Sequence, residues 1–141
     1  MKRSLLTDGR GVPLGVTVEG ANRPDSSLLE ATLQSIPVER PDPKERLQHL
    51  CLDGGYRGAP VQAILTAWGY TAHLRSRDDE RHEKQALPGS RARRWVVERT
   101  HSWMNRFRRL LIRWEKKKDN YLAFLHLALA WITFHATDLF G

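Results

Sequence analysis

The chain has 141 residues, 40% of them hydrophobic, with a net charge of +7. That length suits one domain, and that apolar content excludes wholesale disorder. The single cysteine, Cys51, excludes an internal disulfide and a cysteine metal cage, while the cationic excess points to an anionic partner, nucleic acid first.

The N-terminal "MKRSLLTDGRG" has too brief an apolar run for a signal peptide. It begins an expected β-hairpin, with Ser4–Thr7 and Leu14–Val18 flanking the turn signal "DGRG". "NRPDSSLLEATLQSI" then opens a helix capped by Asp25 or Ser26, with Leu28, Leu29, Thr32, Leu33 and Ile36 at helical spacing. "PVERPDPKERLQ" carries three prolines and many charges, which predicts a surface loop.

A strand is expected over Leu50–Asp53, with Cys51 as a small buried hydrophobe inside it. The lone thiol fits a reducing cytoplasm. "GAPVQAILTAWG" reads as a helix with Pro60 in its first turn and Gly69 at its end, and "YTAHLR" as another strand. The order ββαβαβ predicts an α/β fold, a mixed sheet with covering helices.

Residues 72–92 contain a polar linker without periodicity, expected to be mobile. Two helices are expected over 93–140, one from Arg93 to Trp114 and one from Asn120 to Leu139 capped by Asp119 or Asn120. The apolar segment Tyr121–His135 is shorter than the roughly 20 residues a membrane span needs, so a core helix is expected and no membrane partner. In the first of the two helices Val96, Thr100, Trp103, Phe107, Leu110 and Trp114 form an apolar stripe for packing on the sheet.

Two acids stand out against this background. Asp53 ends an apolar strand and is followed by Gly54 and Gly55, which leave room for a close approach by metal, water or a phosphate backbone. Ligands gather at the carboxyl ends of strands in open α/β sheets. The plainer reading is a turn-forming aspartate, for which Asp-Gly is common. Glu98 shares its helical row with Arg94, His101, Ser102 and Asn105, and its plainer reading is a surface ion pair with Arg94 or simple solvent exposure on the Ser102 side.

Between Arg91 and Lys118 stand eleven of the 23 Lys and Arg residues and only two acids, Glu98 and Glu115. That density suits a phosphate-binding surface. Trp95 is the aromatic left free by the stripe. Taken together, Asp53 and Glu98 are hard oxygen ligands that can hold Mg²⁺ and so clamp a phosphodiester.

The stretches "KRSLLTDGRGVPLGVTVEGAN", "LCLDGGY" and "RRWVVERTHSWMNRFRRLLIRWEKKKDNYLAFLHLALAWITF" carry a resemblance over nearly the whole chain. The sequence resembles the C-terminal part of a DDE transposase from a bacterial insertion sequence, in the branch related to insertion sequences four and five. The resemblance implies an RNase H-like fold and three carboxylates that use Mg²⁺ or Mn²⁺ to nick and join DNA. Asp53 matches the second aspartate and Glu98 the catalytic glutamate, which makes both catalytic and metal-ligating residues. Arg94 matches the arginine four residues before that glutamate. Two positions depart: Arg91 stands in place of a tyrosine and Asn105 in place of a lysine, with Arg106 beside it as a substitute cation.

DNA contacts are accordingly expected from Arg91, Arg93, Arg94, Arg99, Asn105, Arg106, Arg109, Lys116, Lys117 and Lys118. The family's first strand and first aspartate have no counterpart here, since Asp8 sits in the hairpin turn. The expectation is a single domain over 1–141, an N-terminally truncated transposase catalytic domain. It would bind transposon ends and target DNA weakly and cut poorly by itself. An upstream-encoded segment and a homo-oligomer are the expected protein partners. Two other classes stay open: a nucleic-acid-binding module or inactive remnant without chemistry, and a receiver-type phospho-acceptor at Asp53.

Overall fold

The structure is a computed structural model that describes residues 1–75 and 94–137, with the side chains of Arg75, Arg94 and Trp95 outside the description. The polar linker, Arg91 and Arg93 lie outside the described residues.

Strands β1 (Lys2–Thr7) and β2 (Pro13–Glu19) pair antiparallel, from Lys2 opposite Glu19 to Leu6 opposite Gly15. The expected turn joins them. Asp8 Oδ1 accepts from the backbone N–H of Arg10 at 2.8 Å and of Val12 at 2.9 Å, an aspartate-stabilised turn. Gly11 closes it at φ +90°, a conformation that suits glycine.

A 3-10 turn at Asp25–Leu28 leads into helix α1 (Leu29–Gln34). Asp25 and Ser26 are not caps: Pro24, at φ −65°, takes the N-cap position and the turn begins directly after it. Asp25 instead pairs with Lys2 at 3.0 Å.

Strand β3 (Gln48–Asp53) runs parallel to β4 (Tyr70–Arg75), with Asp53 opposite Arg75. Between them come a 3-10 turn at Gly54–Tyr56 and helix α2 (Ala59–Trp68). Proline sits in the first turn of α2, and Gly69 at φ 72° ends it in the left-handed conformation. Cys51 corrects the expectation of a buried thiol, because it is exposed. Side chains alternate along a strand, so Leu50 faces the core while His49 and Cys51 face outward.

The chain is α/β, with its four described strands in two separate pairs rather than one mixed sheet. Among the described residues no strand joins β1 to β3. Leu29, Leu33, Leu50, Val61 and Leu65 form one core between α1, α2 and β3. A second core holds Val16 and Val18 of the hairpin together with Met104, Leu110 and Leu125. Consecutive residues of β1 serve both: Leu5 packs on the second core and Leu6 on the first.

The long helix expected over Arg93–Trp114 is broken. Helix α3 (Arg94–Met104) ends, the N–H groups of Arg106 and Phe107 turn back to the carbonyls of Trp103 and Met104, and α4 (Arg108–Leu111) begins. Phe107 is extended, at φ −84° and ψ 107°. In a straight helix Met104 and Leu110 would point about 120° apart at 3.6 residues per turn. The break lets both enter the same core, where Met104 has 0% exposure and Leu110 3%. The stripe stops there, and Trp114 is 71% exposed rather than packed.

Helix α5 (Lys118–Ala136) follows. Lys117 occupies its N-cap without a side-chain bond; Asp119 and Asn120, expected as caps, lie inside the first turn. An acid there still meets the positive end of the helix dipole. The expected end at Leu139 lies outside the described residues. Among the described residues no helix is long and apolar enough to cross a membrane.

Candidate nucleic-acid and metal site

Asp53 stands half-buried at the carboxyl end of β3. Its Oδ1 accepts from the Gly55 backbone N–H at 2.9 Å. A Cβ on Gly55 would come within 3.1 Å of that same oxygen, so the glycine gives the carboxylate room to fold over its own turn. Tyr56 lies next to it, and burial, then the charges of Asp25 and Asp53, push its hydroxyl pKa up against a hydrogen bond with Ser4. The phenol therefore stays protonated at neutral pH, with β1, the 3-10 turn before α1 and the end of β3 meeting around it.

Glu98 lies on α3 with an exposed side chain. His101, one turn further on, is held below its ordinary pKa first by burial and then by the charge of Arg3, while Glu98 acts in the opposite sense. The net bias is toward the neutral imidazole. Arg3 reaches across from β1, and its Nη2 donates to Asn105 Oδ1 at 2.9 Å. Among the described residues its buried Nη1 has no hydrogen-bond partner.

Helix α3 is seated by the hairpin turn. Thr100 Oγ1 donates to the Gly11 carbonyl at 2.7 Å, and Arg99 Nη2 donates to the Arg10 carbonyl. So anchored, α3 contacts both β1 and β3. The helix that carries Glu98 and the strand that ends in Asp53 are therefore packed neighbours. Both acids are hard oxygen donors of the kind Mg²⁺ takes. Among the described residues no group of three or more His, Cys, Asp and Glu could hold a metal ion.

The residues expected to bind DNA divide by what already engages them. Arg106, Lys116 and Lys117 are exposed. Arg109 bridges to Glu115 at 3.2 Å and lies over the Phe124 ring at 4.8 Å. Lys118 meets Glu19 at 2.6 Å. Arg99 is half-buried and stacks over Trp103 at 4.8 Å, and the carboxamide oxygen of Asn105 accepts from Arg3. The side chain of Arg94 lies outside the described residues, as do Arg91 and Arg93.

Sequence reasoning missed Arg3 and Tyr56 altogether, and it named His101 only as a neighbour of Glu98. Arg3 and Asn105 are 102 residues apart, and no local pattern signals their contact. Tyr56 had one readable sign, its place three residues after Asp53.

The family described as "Transposase DDE domain" matches residues 1–133. A curated relative from Burkholderia cepacia, a putative transposase for insertion sequence element IS402, is 34% identical over 143 residues. The alignment covers 97% of this chain, and the chain spans 65% of that relative's length. No solved structure matches.

Proposed function

The chain belongs to the transposase DDE domain family, and from that premise we propose that it is the catalytic part of an insertion-sequence transposase, acting on DNA in the cytoplasm. Its reaction would be metal-dependent hydrolysis and strand transfer at DNA phosphodiesters, with transposon ends and target DNA as substrates. The observation that carries this reading is the packing of α3 against β3. It brings the Glu98 helix alongside the strand whose carboxyl end holds Asp53.

Asp53 and Glu98 would hold Mg²⁺ or Mn²⁺, which when bound supplies Lewis-acid activation of a phosphodiester oxygen. The chain's own groups orient the substrate. Arg3 adds a positive charge beside the Glu98 helix, which favours a phosphate there. Lys116, Lys117 and Arg106 offer exposed cations for the backbone on either side. We assign an RNase H-like frame in which one further strand lies between β1 and β3, joining the two pairs and carrying a third carboxylate. That strand would come from the part of a longer transposase that this chain does not span. Assembly into a homo-oligomer belongs to the same reading.

A second reading is a DNA-binding module without chemistry, favoured by the exposed cations Arg106, Lys116 and Lys117, which suffice to hold phosphates without any metal. Titration of the chain with Mn²⁺, followed by water-proton relaxation, separates the two. Asp53→Asn and Glu98→Gln should each weaken Mn²⁺ binding at least tenfold, while Glu115→Gln leaves it unchanged. Equal affinity in all four proteins would leave the module.

A further inference from the structure

Trp114 is the most exposed aromatic ring of the described chain, at 71%, with Leu111 at 58% and Ile112 at 55% beside it. Among the described residues no ring stacks on it and no cation lies over it, whereas Arg40, Arg99 and Arg109 each cover other rings. The segment that carries it is nevertheless well tied. Arg113 Nε donates to the Glu115 carbonyl at 3.0 Å, and its Nη2 donates to the Lys116 carbonyl at 3.2 Å. Arg109 holds the Glu115 side chain at 3.2 Å from the other direction. A fixed turn thus presents one bare indole.

The surroundings of that indole are cationic. Arg113, Lys116 and Lys117, within three residues of it in sequence, and Arg108, six residues before it, are exposed, and the acid that follows it, Glu115, is paired with Arg109 at 3.2 Å. A ring in so basic a stretch suits a polyanion that also offers aromatic faces. Nucleic acid has both, and base–aromatic stacking tolerates any base because every base has a π-face. Within an intact duplex those faces are covered by their neighbours. Only bases freed at a nick, a frayed end or a single strand are open to a side chain.

Resting on the DNA reading above, we propose that Trp114 is a stacking platform for an unpaired nucleobase, with Lys116 and Lys117 holding the flanking phosphates. The site lies on the turn between α4 and α5, outside the residues assigned to the metal. It distinguishes opened from closed DNA by the availability of a base face.

The test compares three ligands by fluorescence anisotropy at one salt concentration: a single strand, a duplex with a frayed end, and a blunt duplex. Trp114→Ala should weaken the first two by roughly 5- to 150-fold, as expected for losing one stacked base. Affinity for the blunt duplex should stay within about twofold, and Trp114→Phe should retain most of the preference. Circular dichroism melting checks that each variant folds. Equal loss on all three ligands, or none, overturns the proposal. So does a change in self-association of Trp114→Ala in sedimentation without DNA, which would make the indole a protein contact. If the unaltered chain binds none of the three ligands, the DNA reading itself fails. If it binds all three and Trp114→Ala makes no difference, only the stacking platform fails.

Discussion

Thr100 and Gly11 are joined by a hydrogen bond of 2.7 Å between the threonine hydroxyl and the glycine carbonyl, across 89 residues of sequence. Thr100 has 0% exposure, so the bond is shielded from water. It fixes the helix that bears Glu98 onto the hairpin turn. Thr100→Val keeps the shape and strands the Gly11 carbonyl. The expected cost is about 1–3 kcal/mol, read as a lower urea midpoint, with Thr100→Ser losing less. An unchanged midpoint for the valine variant would show that the contact does not hold the helix.

Gly11 itself adds a steric prediction. At φ +90° an added Cβ would stand 3.0 Å from both Arg99 Nη2 and Thr100 Oγ1. Gly11→Ala is therefore expected to cost about 1–3 kcal/mol. Gly9, where an added Cβ would meet nothing within 4 Å, is the control. Gly9→Ala should stay within about 0.5 kcal/mol. Urea unfolding of the pair checks the contrast.

His101 makes stability depend on pH. Burial and Arg3 hold its pKa below the ordinary 6.5. Its contribution is then full above that value, where both folded and unfolded chains carry it neutral. As pH falls from 6.5 toward the lower folded pKa, the unfolded chain binds the proton first and stability is lost. Urea midpoints across this range should fall less steeply for His101→Gln than for the unaltered chain. Glu98 favours the charged imidazole, so Glu98→Gln should steepen the loss. An unchanged pH slope in His101→Gln would exclude the imidazole as the source.

The logarithm of the DNA binding constant should fall linearly with the logarithm of salt concentration. Lys116→Ala and Lys117→Ala should each reduce that slope by about 0.9, the release associated with one phosphate contact. Lys118, held by Glu19 at 2.6 Å, should contribute less. Titrations at several salt concentrations check this, and equal effects from all three lysines would show that the Glu19 pair opens on binding.

Much of the chain is legible from local signals. The "DGRG" turn predicts the hairpin because Asp8 can accept from the backbone just ahead of it and Gly11 can adopt a positive φ. Pro60 and Gly69 bracket α2 because each restricts or frees the backbone at a helix end. Asp53 at the end of β3 was readable from an apolar run meeting an Asp-Gly-Gly turn. The basic stretch after Arg91 was readable by composition alone.

Other features depend on partners distant in sequence. Periodicity carried the apolar stripe through to Trp114, since helical spacing continues in the letters after the backbone has turned. Only the shared core of Met104, Leu110 and Leu125 decides where α3 must break, and that break leaves Trp114 outside. Cys51 is exposed because the outer face of β3 is open there, which an apolar run cannot reveal. Strand character was likewise local, whereas the division of the strands into two pairs was set by which edges meet.

By itself the sequence determined the turns, the helix and strand types and the placing of charge, because backbone preference and side-chain chemistry act over a few residues. Tertiary structure alone decided which helix packs on β3, which cation reaches the Glu98 helix and which indole stays in water. Those outcomes follow from close packing, in which each side chain takes the space its distant neighbours leave.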